Sequence, residues 1–260
     1  MLPISSLDPQ PVGFGRCRFC PYFETGFPAL CFTCARQTMQ GLANEKCRIC
    51  DHPYDDGEDW CNNPICKRSR NRRHFLWNYS IAMKSGALES AIKTYKFSTD
   101  PKYRFWAIIF ARVLVGFFQD EPEIFDDFDL IVASPTFVGK GGRGWDHTRL
   151  VLEKAHLESR GQYPFDVGYD KPAIIKTAAT PSMTKSRSWQ ERDEIAEGPL
   201  RDSLVVPDPR RTENKTILVY DDIFTDGHTL NEAARCLKHQ GGAREVCGVT
   251  LARAHFQKKQ

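Results

Sequence analysis

With 260 residues and a 41% hydrophobic share, the chain has room for one substantial α/β domain and a small module, at the composition of a soluble protein. A net charge of +3 argues neither for nor against a nucleic-acid partner. Met1 to Gly15 lacks the apolar core of a secretory signal. The longest apolar run, Phe105 to Phe118, is interrupted by Arg112 and too short to span a bilayer, so the expectation is a cytoplasmic protein without a membrane segment.

Residues 1–15 read as a Pro- and Gly-bearing tail. Residues 16–75 carry eight of the ten cysteines, as Cys17-x2-Cys20, Cys31-x2-Cys34, Cys47-x2-Cys50 and Cys61-x4-Cys66. Cys47, Cys50 and Cys61 repeat Cys17, Cys20 and Cys31 at an offset of 30 residues. Such pairs suit two tetrahedral four-thiolate zinc sites, one from each half, with an interleaved cross-brace as the alternative. Few aliphatic residues lie between the cysteines, so metal binding, worth about 10–16 kcal/mol per site in zinc-finger peptides, has to supply the folding energy. Complete thiolate sets leave no open coordination position, which makes both zinc ions structural.

A basic run follows the last of these cysteines: Lys67, Arg68, Arg70, Arg72 and Arg73, with Trp60 before it and Phe75, Trp77 and Tyr79 after it. Interleaved bases and aromatics can hold single-stranded DNA; the plainer alternative is a solvated linker or a helix start. The remaining stretch, 76–260, is expected to be the main domain. Residues 80–119 read as helical, with Leu88, Ala91, Ile92 and Tyr95 on one apolar face, and Asp100-Pro101 opening a second helix. Lys96 and Arg104 sit where the pair joins.

Strand–helix alternation begins at Asp129–Ala133, a strand ending at Ser134-Pro135-Thr136. A glycine-rich loop with Arg143 leads into a helix, and Ala173–Lys176 is a further strand. Residues 177–202 lack apolar periodicity but carry Lys185, Arg187, Arg192 and Arg201, the composition of a mobile lid or loop. Strands at 203–206, 216–220 and 245–251 complete a mostly parallel sheet with flanking helices.

The stretch richest in chemistry is Thr216 to Leu230. A buried-strand run ends in Asp221-Asp222, and a turn, Thr225-Asp226-Gly227-His228, opens a helix near Thr229. Ligands of open α/β sheets bind beyond strand C-termini, and a helix N-terminus offers unpaired amides to a phosphate. Two carboxylates beside that cradle suit the vicinal hydroxyls of a ribose or a magnesium ion. Together they describe a site for a phosphorylated ribose. His147 and His228, in loops beside it, are expected to be hydrogen-bonded or exposed rather than catalytic. Cys236 and Cys247 are expected to be small buried residues.

Val219 to Thr229 resembles the phosphoribosyl-pyrophosphate (PRPP) signature of type I phosphoribosyltransferases. The chain as a whole resembles the ComF family of late-competence proteins, which join an N-terminal zinc module to such a domain. Arg143-Gly144-Trp145-Asp146-His147 and the helix end Lys96-Phe97 are similar to segments of that family. The resemblance implies an α/β type I phosphoribosyltransferase-like fold with a small zinc-ribbon module. It implies that Asp221 and Asp222 contact the ribose, with magnesium, and that Thr225, Asp226, Gly227, His228 and Thr229 hold the 5′-phosphate. Ser134, Pro135, Thr136 and Arg143, with Lys185, Arg187 and Arg192, become candidates for pyrophosphate.

Asp226 departs from the pattern, standing where the family has a small hydroxyl residue. It either points outward, leaving its amide to serve, or lowers phosphate affinity. Thr225 stands where purine-salvage members carry an Asp, which argues against hypoxanthine or guanine as the acceptor. The implied reaction is transfer of phosphoribose to a nitrogenous acceptor with pyrophosphate release. A PRPP-sensing or single-stranded-DNA-handling protein for DNA uptake is the alternative, and a homodimer stays open.

Overall fold

A computed structural model describes residues 39–54, 58–183, 186 and 188–255. Cys17, Cys20, Cys31, Cys34, Lys185 and Arg187 lie outside the described residues. The centre is a four-stranded, all-parallel sheet formed by β1 (Asn78–Met83), β2 (Leu130–Ala133), β5 (Thr216–Phe224) and β6 (Glu245–Arg253). Its spatial order is β1-β6-β5-β2. A separate antiparallel pair, β3 (Ile175–Lys176) and β4 (Leu204–Val205), stands apart from it.

The helices are α1 (Gly86–Phe97), α2 (Trp106–Asp120), α3 (His147–Glu158), α4 (Trp189–Ile195) and α5 (His228–His239). They cover both faces of the sheet, as a parallel sheet requires. Alternation along β5 sorts the core into two layers. Leu218 and Tyr220 face α1, α2 and α3, while Ile217 and Val219 face α5. The α5 layer also contains Cys47, Cys50, Ile65 and Phe75, so the described cysteines share a core with the sheet. Full burial of each large apolar side chain in these layers stabilises by about 1.5–3 kcal/mol.

Several expectations hold in detail. Leu88, Ala91, Ile92 and Tyr95 are all buried along α1. Asp100 caps the turn at Pro101, accepting from the Lys102 amide at 3.0 Å. Arg112, which breaks the apolar run, pairs inside the fold with Glu158 at 3.2 Å. Cys236 and Cys247 are buried.

Three expectations are corrected. Residues 80–83, read as helical, belong to β1, whose alternating burial was masked by the adjoining helical periodicity. The strand expected at 173–176 is short and pairs antiparallel with β4, outside the main sheet. Residues 177–202, read as a loop, turn helical from Trp189, through α4 and a π-type turn at Ala196–Leu200. Charged partners hold α4, and the buried Ala196 and Leu200 that anchor the turn after it are too few to make a periodic signal.

Candidate functional site: a four-cysteine cluster and the carboxylate turn at the end of β5

The sulfur atoms of Cys47, Cys50, Cys61 and Cys66 all lie within 4.8 Å of one another. Cys47 and Cys66 are 3.8 Å apart, Cys50 and Cys61 3.6 Å. Sulfur atoms about 2.3 Å from a common tetrahedral zinc would be separated by about 3.8 Å. The Ile49 and Asn63 amides point at the sulfurs of Cys47 and Cys61, both at 3.4 Å. Hydrogen bonding from Cys47, then from Cys61 and Cys66, drives the Cys50 thiol far below its ordinary range, and Cys47 first among its neighbours pushes Cys66 up. Four adjacent thiols cannot all ionise without a cation, so the donor set fits a structural zinc ion. These are the four cysteines of the second half, as the sequential pairing requires.

β5 delivers Asp221 and Asp222 to the C-terminal edge of the sheet, beside the end of β2 through the pair Ala133 and Tyr220. Asp222 is 4% exposed and bound by Lys96 of α1, at 2.8 and 2.6 Å from its two oxygens. His147, the first residue of α3, stands 3.4 Å away. Burial opposes ionisation of Asp222, but Lys96 and His147 together outweigh it and hold its carboxyl well below the usual range. Asp221 is partly exposed and accepts from the Asp222 amide at 2.8 Å. Burial, then the neighbouring Asp222 charge, pushes its carboxyl up to about 6. Unequal environments have given adjacent carboxylates opposite shifts. Tyr95 fixes the arrangement by donating to the His147 carbonyl at 2.6 Å.

The turn continues through Thr225, which is exposed, to Gly227, whose φ of 91° is left-handed. A Cβ there would lie 2.6 Å from the Phe224 ring, so the turn needs glycine on both counts. α5 then starts at His228, where the first amides have no intrahelical partner. Asp226 does not point outward: it is 5% exposed and faces Arg192 of α4 at 2.7 Å. The guanidinium thus balances the buried Asp226 charge. His228 is also buried, 3.4 Å from Asp193 and 5.0 Å from the Trp189 ring, and burial pushes its imidazole down.

Beyond β2, Ser134 is buried, its amide donating to the Tyr220 carbonyl at 2.7 Å. Its own carbonyl accepts from Thr148 at 2.8 Å, and Thr136 is 3.5 Å from the same hydroxyl. Pro135 is partly exposed between them. Arg143 stacks on Phe97 at 4.7 Å and feels the charges of both Asp222 and Asp221. Lys176, a residue the sequence reading passed over, is near enough to Arg143 to feel its charge. Ser134, Arg143 and Lys96 thus gather at one edge with the two carboxylates, with Lys176 on the far side of Arg143, while Arg192 serves the Asp226 side.

The basic run is not a uniform cationic face. Arg68 turns inward to Asp193 and Glu197 and lies over Trp189, while Arg73 donates to the Cys66 carbonyl at 3.0 Å. Lys67, Arg70 and Arg72 are exposed, and Arg72 also meets Glu197 at 3.4 Å. Five bases in sequence are therefore three at the surface. The acids that meet Arg68 and Arg72, Asp193 and Glu197, lie far along the chain, where no local pattern could pair them.

The chain is similar to competence protein ComFC of Bacillus subtilis (strain 168). The two are 21% identical over 239 residues, which cover 86% of this chain and 84% of that protein. No protein-family model matches the chain. Among the described residues, no helix is long and apolar enough to cross a membrane.

Proposed function

We propose that this protein belongs with the ComF proteins and that residues 76–260 are a type I phosphoribosyltransferase-like domain that binds PRPP at the C-terminal edge of β5. One observation carries the reading: paired, oppositely tuned carboxylates, Asp221 and Asp222, run directly into a left-handed glycine turn at the start of α5. Asp221, the more exposed of the pair, takes the ribose hydroxyls, and Asp222 holds Lys96 and His147 in place behind it. The backbone from Thr225 to Thr229 cradles the 5′-phosphate. Ser134, Pro135, Thr136 and Arg143 lie where pyrophosphate would leave, with Lys176 beside them; Lys185 and Arg187 remain candidates from sequence alone. Arg192 belongs to the phosphate side through Asp226.

In the reaction the C1–O bond to pyrophosphate breaks, a C1–N bond to the acceptor forms, and the acceptor nitrogen loses its proton. Its main demand is neutralisation of charge on the leaving group, which the cationic edge supplies. A magnesium ion bound with PRPP would add to that neutralisation, and Asp221 is the carboxylate free to face it. The cysteines carry structural zinc: one ion at Cys47, Cys50, Cys61 and Cys66, and a second at Cys17, Cys20, Cys31 and Cys34. A cytoplasmic location keeps such thiolates reduced. A pyrophosphate-release screen with PRPP and a panel of nitrogenous bases tests the transferase reading. Acceptor-dependent release that Asp221→Asn abolishes supports it; binding without release from any acceptor leaves a PRPP sensor.

Single-strand handling in DNA uptake is the second reading. It is favoured by the likeness to a competence protein and by exposed Lys67, Arg70 and Arg72. Single-strand affinity that keeps its salt slope after all three are changed to alanine removes that support.

A further inference from the structure

Arg253 closes β6 and is 0% exposed, yet its guanidinium meets no carboxylate within salt-bridge distance among the described residues. It is instead a fork between two regions. Nε donates to the Cys50 carbonyl at 2.6 Å. One terminal nitrogen donates to the carbonyls of Phe224 at 3.0 Å, Thr225 at 2.7 Å and Ala254, while the other stands 3.5 Å from the Cys50 sulfur. Sheet register makes this reach available, because Arg253 is the partner of Phe224 across β6 and β5. The guanidinium also lies 4.9 Å from the Phe224 ring centre.

A buried cation needs a counter-charge. The Cys50 sulfur is placed to provide it, and a divalent ion among four thiolates leaves the cluster with a net negative charge. We propose that Arg253 is a positioning residue that couples the metal state of the Cys47–Cys50–Cys61–Cys66 cluster to the geometry of the Phe224–Gly227 turn. With zinc bound, the cluster balances the guanidinium, and the fork fixes the two carbonyls that open the turn. Without zinc the four cysteines are no longer held to one centre, the Cys50 carbonyl and sulfur can leave the guanidinium, and the turn carbonyls lose their clamp. Ile65, between ligands Cys61 and Cys66, also lies beside the turn: its Cγ2 would be 3.3 Å from a Cβ at Gly227.

The consequence for ligand binding rests on the proposed PRPP site; the coupling itself does not. The test uses the full-length zinc-loaded protein, Arg253→Met and Arg253→Lys. It follows hydrogen exchange at the amides of Thr225 to Thr229 and zinc release to a chromogenic chelator. Arg253→Met is expected to speed both by about tenfold, the equivalent of about 1.4 kcal/mol. Arg253→Lys, which keeps the charge without the fork, speeds turn exchange but leaves zinc release near wild type. Chelator-treated wild type should match Arg253→Met at the turn while β2 stays protected. Turn exchange unchanged in both variants overturns the proposal, as does faster exchange in Arg253→Met with zinc release unaltered. Isothermal titration with PRPP separates the two claims: a wild type that binds none refutes the PRPP reading, while exchange still decides the coupling.

Discussion

Asp222 and Asp226 stand four residues apart, both buried, each facing one cation and one imidazole, yet the elements that supply those partners differ in kind. Lys96 and His147 come from the ends of α1 and α3, helices whose apolar faces are locked into the main core. Arg192 comes from α4, which has no buried residue of its own and is held by Arg68 through its Asp193 and Trp189. One carboxylate is braced by the hydrophobic core, the other by a charged strap. Packing energy of several kcal/mol stands behind the first, whereas the second depends on ion pairs whose attraction is largely offset by desolvation. The Asp222 side is thus preorganised, and the Asp226 side can yield to a ligand.

The largest effect that tests this difference is at Lys96. Lys96→Ala leaves a buried carboxylate without its cation and should cost about 3 kcal/mol in denaturant unfolding. A loss below about 1 kcal/mol would put Asp222 in the same class as Asp226. Next comes pH. Because folding raises the Asp221 carboxyl to about 6, the folded state holds a proton that the unfolded state has released. Asp221 therefore favours folding below about pH 4, and that contribution is lost as pH rises through about 6. Asp221→Asn should flatten this part of the stability profile, and an unchanged profile would remove the assignment. Asp222, shifted down, acts in the opposite sense: its contribution is present above about pH 4 and is lost in stronger acid.

Smaller still is Arg192→Ala, expected to cost about 2 kcal/mol of stability, less than Lys96→Ala because α4 can shift and admit water to the buried Asp226. It should weaken PRPP binding about tenfold, because Asp226 then faces the phosphate uncompensated. Tighter binding would mean that the strap competes with the ligand. The smallest change is Arg70→Ala, at an exposed position, which should stay within about 0.5 kcal/mol of wild type by thermal unfolding.

Much of this arrangement was legible in the order of residues, and the exceptions have a common cause. The run from Thr216 to Phe224, the acid pair, the glycine turn and the helix that follows are local features, written at fixed spacing. So are Cys47, Cys50, Cys61 and Cys66, whose meeting in space follows from ligand geometry. What could not be read is long-range charge pairing. Arg68 finds Asp193 across 125 residues, Lys96 finds Asp222 across 126, and Arg253 finds Cys50 across 203. Asp226 could be recognised as an exception to the phosphate turn, but the cation that makes burial tolerable lies on a helix without apolar periodicity. β1 failed for a different reason: its six residues lead almost directly into α1, and the stronger helical signal absorbed them.

PRPP is proposed to bind at the end of β5 through Asp221 and the turn that follows. Isothermal titration of PRPP with magnesium into the zinc-loaded protein at pH 7.5, beside the Asp221→Asn/Asp222→Asn pair of variants, tests it most directly. One saturable site is expected in wild type, with at least a hundredfold loss in each variant that remains folded, equivalent to about 2.7 kcal/mol or more. No binding in wild type, or equal affinity in all three proteins, would contradict it.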